Sequence, residues 1–230
     1  MDRNEAREAT AVAENTVANA TARKPKSDAK LDYERKAWRN GARLIAGVDE
    51  VGRGPLAGDV VVCAVIMDLT NIVSGVDDSK VLSEKKRNEL YGQIMEHAVA
   101  VAIARRGPEV IDKINILNAT KEAMREAVLA LDPRPDIILC DAVKIDTDIP
   151  CEAIIHGDAL SYSISCASII AKVTRDREMS VLNDVYHGYG FHRNKGYGSV
   201  AHVSALRAMG PCPIHRRTYI KNFLEVKDEN

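Results

Sequence analysis

Residues 60–67 read Val-Val-Val-Cys-Ala-Val-Ile-Met, with no polar side chain among them. A strand with one wet face alternates apolar and polar residues, whereas an unbroken apolar run of strand length needs cover on both faces. It is too short to cross a membrane, which takes ~18 residues or more. The run therefore predicts a sheet with helices packed on both sides, an α/β layer fold.

The neighbouring segments agree. Residues 44–49 form a first strand, and residues 30–42 a short helix leading into it. Ser83 is placed to N-cap a helix carrying Leu90, Ile94 and Ala98. Residues 99–104 read as a third strand. One helix is then expected to carry Ile114, Leu117, Met124, Val128 and Leu131, and to stop at Pro133 and Pro135. Residues 137–140 are a short buried strand ending on Asp141, and residues 153–156 another, ending near Asp158. A long helix runs from 161 to about 184, followed by a Gly-rich loop, a helix near 199–209 and a polar tail. Residues 1–29 have no apolar period and are expected to be a disordered or loosely helical tail. The expected domains are that tail, an N-terminal helix over 30–43, a catalytic sheet domain over 44–184, and a helical and loop substrate-binding region over 185–230.

Net charge is −1, so affinity for nucleic acid has to come from a local patch. Cys63, Cys140, Cys151, Cys166 and Cys212 contain no CxxC pair and are expected to be reduced thiols. With no apolar signal core at the N-terminus and no membrane-length run, the expectation is a cytoplasmic monomer that does not bind membranes.

Three carboxylates, Asp49, Asp141 and Asp158, fall at or just beyond predicted strand ends, and Glu50 adjoins the first. Ligands of open α/β sheets bind outside the carboxyl ends of the strands. Carboxylates gathered there repel one another unless cations sit among them. Hard divalent ions take such oxygen ligands, and a pair of them is the usual device for in-line attack on a phosphodiester. Adjacent strand residues point to opposite faces, so Asp49 and Glu50 share a site only if the strand loses regularity there; Gly52-Arg53-Gly54-Pro55 offers that break. Gly52-Arg53-Gly54 is either an ordinary turn or a phosphate and sugar contact. Ser161, Ser165, Ser168 and Lys172 share one helix face, either as a track for a phosphate backbone or as a surface for close packing on the sheet. Basic and aromatic residues from Tyr186 to Tyr197 suit nucleic-acid contact, with His215, Arg216 and Arg217 extending the positive patch.

Taken together these segments resemble the ribonuclease HII family. The resemblance rests on the run from Ile45 to Gly58, on Asp78-Ser79-Lys80, on the residues from Asn115 to Thr120, on Asp141-Ala142, on Gly157-Asp158 with the residues from Ala167 to Val173, and on Lys195-Gly196-Tyr197 and His215-Arg216-Arg217. It covers nearly everything except the N-terminal tail. It implies a ribonuclease H-like mixed β-sheet flanked by helices, with a small C-terminal helical region. It also implies an endoribonuclease acting on RNA–DNA hybrids and on single ribonucleotides in duplex DNA, with Mn²⁺ or Mg²⁺ as cofactor. Asp49, Glu50, Asp141 and Asp158 are implied as the metal-binding catalytic set, and Gly52, Arg53 and Gly54 as readers of the ribonucleotide 2′-OH. Tyr197 is implied to stack on the neighbouring deoxyribose, with Lys80, Ser168 and Lys172 as further substrate contacts. The sequence departs from the family pattern after the loop tyrosine, where Gly198-Ser199 stand in place of Pro-Thr, and at Asn194, where a His is common.

Overall fold

The computed structural model describes residues 30–224, so the expectation for residues 1–29 lies outside it. Helix α1 (Asp32–Arg39) leads into strands β1 (Ile45–Val51) and β2 (Val60–Met67). Helix α2 (Glu84–His97), capped by Ser83 as expected, runs straight into β3 (Ala98–Arg106). The helix expected next is two helices, α3 (Pro108–Ile114) and α4 (Ile116–Leu129). They are divided by Asn115, whose φ of +66° breaks the ladder while its side chain caps α4. Strands β4 (Ile137–Asp141) and β5 (Cys151–Ile154) follow, then a short helix α5 (Gly157–Leu160) and the long α6 (Tyr162–Val185). The chain closes with α7 (Phe191–Asn194), α8 (Val200–Met209) and α9 (Arg217–Leu224).

The sheet order is β3-β2-β1-β4-β5. Strands β1, β4 and β5 are mutually parallel, while β2 runs antiparallel to both β1 and β3. The apolar run divides by alternation. Cys63, Val65 and Met67 join the layer formed with α1, α2 and α6. Val62, Ala64 and Ile66 join the layer formed with Ala123, Met124, Ala127 and Val128 of α4. Every residue of β2 is buried, as the two-sided cover predicted. At about 1.5–3 kcal/mol per fully buried aliphatic side chain, this strand alone commits the fold to both layers.

Helix α6 lies against β1 at backbone distance. A Cβ on Gly47 would sit 2.1 Å from the carbonyl carbon of Ser163, so only glycine admits the contact. The helix N-terminus is held from outside: Glu34 of α1 accepts hydrogen bonds from the Ser161 hydroxyl (2.6 Å) and the Ser163 backbone N–H (2.9 Å). The expected strand at 153–156 is shifted, because pairing with β4 starts at Cys151 and ends at Ile154. Ile155 is exposed and His156 turns the chain with a φ of +58°. Helix α9, read as polar tail, packs through Ile220 against Leu56 and Leu206. All five cysteines are free, in line with the expected reduced thiols. Among the described residues no helix is long and apolar enough to cross a membrane.

Candidate active site

The parallel strands bring their carboxyl ends to one edge. Asp49 stands near the end of β1, Asp141 is the last residue of β4, and Asp158 lies in the first turn of α5, four residues beyond Ile154, where β5 ends. Strand β1 does not lose regularity at Asp49-Glu50. Its pairing with β2 continues through Glu50↔Val62 to Val51↔Val61. Asp49 therefore lies on the α6 side and Glu50 on the α4 side. They meet electrostatically because the sheet ends there and Asp141 lies within range of both. The break expected from the glycines falls after Val51.

The electrostatics are strained. Burial, and then the charge of Glu50, hold the Asp49 carboxyl well above the usual carboxylate range, although a hydrogen bond from Ser168 eases it. Burial also raises Glu50, against the pull of Arg53. Asp141 is raised by burial and by Asp158, although the Gly157 N–H donates to it at 2.8 Å. Each carboxylate has a local donor. Arg53 Nη1 reaches Glu50 at 3.2 Å, and Lys80 Nζ reaches Asp158 at 2.7 Å. One oxygen of Glu50, Oε2, is buried without any hydrogen-bond partner. Among the described residues no three His, Cys, Asp or Glu side chains close around a single point; the acids are neighbours, two of them engaged by cations.

The serine stripe resolves by burial. Ser161 and Ser165 are fully buried, and Ser165 spends its hydroxyl on the carbonyls of Asp158 and Ser161. Ser168 is nearly buried and shares a hydrogen bond with Ser79 (2.8 Å), which fixes the loop carrying Lys80. The stripe is thus a packing surface that reaches the site at Ser168. Lys172, one turn on, is paired with Asp176 at 2.7 Å.

The loop after β1 is shaped from the far end of the chain. Gly52 has a φ of +93°, and a Cβ there would strike Arg175 at 2.3 Å. The fully buried Arg216 donates to the carbonyls of Gly52, Arg53 and Gly58. Arg175 donates to those of Ala57, Asp59 and Lys195. Arg216 and His215 are therefore not part of a surface patch, as expected from the sequence, but internal struts; Arg217, Arg193 and His192 remain exposed. Sequence reasoning missed this role. Its signal was the glycine-rich loop itself: carbonyls turned out of strand pairing and buried must find donors elsewhere. On the outer side Gly54 is exposed, and a Cβ added to it would touch the ring of Tyr197 at 3.8 Å. Tyr197, at 45% exposure, stands over the loop with its ring open to solvent.

A mixed sheet with acids gathered beyond its parallel strands defines a nuclease of the ribonuclease H-like class. The sequence profile described as Ribonuclease HII matches residues 46–222. Ribonuclease HII of Leuconostoc mesenteroides is 51% identical over 197 residues, covering 85% of this chain and 78% of that one. The Enterococcus faecalis protein of the same name is 52% identical, covering 85% and 75%. Among solved structures, ribonuclease H2 from Pyrococcus horikoshii superposes with a TM-score of 0.66 at 30% identity, covering 78% of this chain and 96% of that one. Bst-RNase HIII in complex with Mn²⁺ shares the fold, with a TM-score of 0.54 at 23% identity, covering 73% and 63%. The chain belongs to the ribonuclease HII family. It is a ribonuclease H, a hydrolase that cleaves the RNA strand of RNA–DNA hybrids.

Proposed function

We propose that the enzyme also incises duplex DNA on the 5′ side of single embedded ribonucleotides, leaving 3′-OH and 5′-phosphate ends. The observation that carries this is the Tyr197 ring standing over the exposed Gly54, where an added Cβ would lie 3.8 Å from it. The Gly52-Arg53-Gly54 loop follows Asp49-Glu50 directly, so reading a sugar and placing its phosphate at the acids is one geometric event. RNA differs from DNA there by its 2′-OH, and a backbone without side chains can approach that hydroxyl. The Tyr197 ring, on the loop's open side, offers a flat face to the next sugar, which fits only where no 2′-OH projects.

The reading assigns Asp49, Glu50, Asp141 and Asp158 to two divalent cations, Mg²⁺ or Mn²⁺. The donor set fits: all four offer hard carboxylate oxygens, Asp49, Glu50 and Asp141 are raised toward protonation by burial and neighbouring acids, and one buried Glu50 oxygen has no other partner. Divalent ions held by these carboxylates would supply an activated water for in-line attack and would stabilise the leaving oxygen. Arg53 and Lys80, paired with Glu50 and Asp158, are the cations placed beside the acids to meet the scissile backbone, and Ser168 holds Asp49 in place. Lys172, a turn further along α6, adds a backbone contact after leaving Asp176.

The test is a DNA duplex holding one ribonucleotide, incubated with Mg²⁺, Mn²⁺ or EDTA, with the cut mapped. A 5′-side cut with 3′-OH ends is expected, lost in EDTA. A 2′,3′-cyclic phosphate product, or full activity in EDTA, overturns the metal assignment. Tyr197→Ala is expected to weaken single-ribonucleotide cleavage by roughly 1–3 kcal/mol, the scale of a lost stacking contact, and to spare long hybrids more. Equal losses on both substrates overturn the junction reading.

A further inference from the structure

Behind Tyr197 lies a pair of buried imidazoles that the chemistry above does not use. His202 and His215 are 0% and 1% exposed, and their Nε2 atoms stand 3.1 Å apart. Their outer nitrogens settle which atoms carry protons. His202 Nδ1 lies 2.8 Å from the carbonyl oxygen of Tyr197. A carbonyl only accepts, so His202 carries its proton on Nδ1 and its Nε2 is bare. His215 Nδ1 lies 3.0 Å from the backbone N–H of Cys212, which only donates, and 3.3 Å from the Cys212 carbonyl, which already accepts the His215 backbone N–H at 3.1 Å; the shorter contact makes Nδ1 the acceptor and puts the proton on Nε2. The Cys212 thiol, 3.1 Å from the same Nδ1, can donate to it as well. The two assignments are compatible: Cys212 N–H to His215, His215 Nε2–H to His202, His202 Nδ1–H to Tyr197 carbonyl.

Each end of this chain belongs to one half of the proposed sugar-reading device. His202 sits in the first turn of α8, where the Ser199 hydroxyl accepts from its backbone N–H. The Tyr197 carbonyl that its ring grips is shared with the Ser199 N–H. His215 pairs with Ala57 as an isolated bridge, flanked by Gly58 N–H to Ile214 carbonyl (2.9 Å) and Arg216 N–H to Leu56 carbonyl (2.8 Å). The segment carrying His215 is thus bridged to residues 56–58, just past the Gly52-Arg53-Gly54 turn, and His202 is anchored to the Tyr197 turn. Tyr189 and Phe191 pack the two rings in place.

We propose that His202 and His215 are positioning residues for junction recognition, a directed hydrogen-bond relay that sets the Tyr197 ring against the Gly52-Arg53-Gly54 loop. Neither touches substrate. The inference rests on the reading of Tyr197 as the group that faces the deoxyribose.

The test compares cleavage of a single-ribonucleotide duplex with cleavage of a long hybrid. His202→Phe keeps a ring between Tyr189 and Phe191 and removes both hydrogen bonds. It is expected to lower the single-ribonucleotide to hybrid ratio by about 2- to 10-fold, the scale of the one hydrogen bond lost at the Tyr197 carbonyl. Combined with Tyr197→Ala it should lower the ratio no further than Tyr197→Ala alone, since both act through one ring. Additive losses, or a His202→Phe ratio equal to wild type, overturn the relay. If Tyr197→Ala itself leaves the ratio unchanged, the reading of Tyr197 fails and this role fails with it. Nitrogen-15 spectra of the unmodified enzyme at about pH 7.5, above the ordinary histidine value of about 6.5, give a check that needs no variant. A protonated Nδ1 on His202 and a protonated Nε2 on His215 are expected, and the opposite tautomers overturn the relay.

Discussion

The acids at the sheet edge lie where ionisation costs most. Burial and mutual repulsion raise Asp49, Glu50 and Asp141, so in metal-free protein their charges oppose folding. The sign follows: a carboxyl whose folded pKa exceeds its unfolded one binds more protons when folded, and stability falls as pH rises through that interval. Asp49→Asn is therefore expected to abolish cleavage and to leave the metal-free melting temperature unchanged or higher at pH 7, with the gain shrinking toward pH 4. Thermal melts in EDTA across that range check it, and a large drop in melting temperature would make Asp49 structural. Arg216 is the opposite case. Its guanidinium serves three loop carbonyls, a fork that an ammonium cannot reproduce. Arg216→Lys is expected to cost about 1–3 kcal/mol per carbonyl left unsatisfied, read by urea denaturation.

Between elements, the α1–α6 joint turns on Glu34, whose carboxyl is raised by burial while Oε1 caps the helix and Oε2 has no partner. Glu34→Gln keeps an acceptor and sheds the buried charge, so it is expected to be neutral or stabilising at pH 7. Glu34→Ala removes the acceptor and should cost about 1–3 kcal/mol. Chemical denaturation of both variants separates charge from cap. The joint also shows what can be read from a chain of letters. The two-sided cover of β2, the Ser83 cap and the acids at Asp49 and Asp141 were legible because each is a local pattern. The division of α3 from α4 was not, because apolar spacing runs through Asn115 and only its backbone angle breaks the helix. Strand β5 was misplaced by two residues because Ile154 and Ile155 look alike, and only pairing with β4 separates them. Helix α9 was passed over among its polar residues, although Ile220 and Phe223 lie on one face. Glu34, Arg175 and Arg216 act on residues far along the chain, which no local window exposes.

Taken whole, the molecule carries two titrating systems of opposite slope. The acids gain from mild acidification, while the imidazole pair loses. Burial and then His202 hold His215 down at about 4, with Arg217 adding to the effect, and burial also lowers His202. The groups packed on the pair are Tyr189, Phe191, Cys212 and the Tyr197 carbonyl. A histidine lowered by folding contributes stability that is present above its unfolded pKa and lost as pH falls toward the folded one, at up to about 1.4 kcal/mol per pH unit. Between pH 6.5, the ordinary histidine value, and about pH 4, His202→Phe is expected to lose less stability than the unmodified protein, as measured by melting temperature. The hydrogen bond from Arg216 to the Gly52 carbonyl spans 164 positions of sequence, and this has a meaning for the order of manufacture. Synthesis runs from the N-terminus, so β1, β4, α5 and their acids emerge long before the arginine that sets the loop beside them. A polypeptide released before that residue carries the whole acidic cluster beside a glycine loop whose carbonyls lack their buried donor, so the loop takes its shape only after the acids next to it are already made.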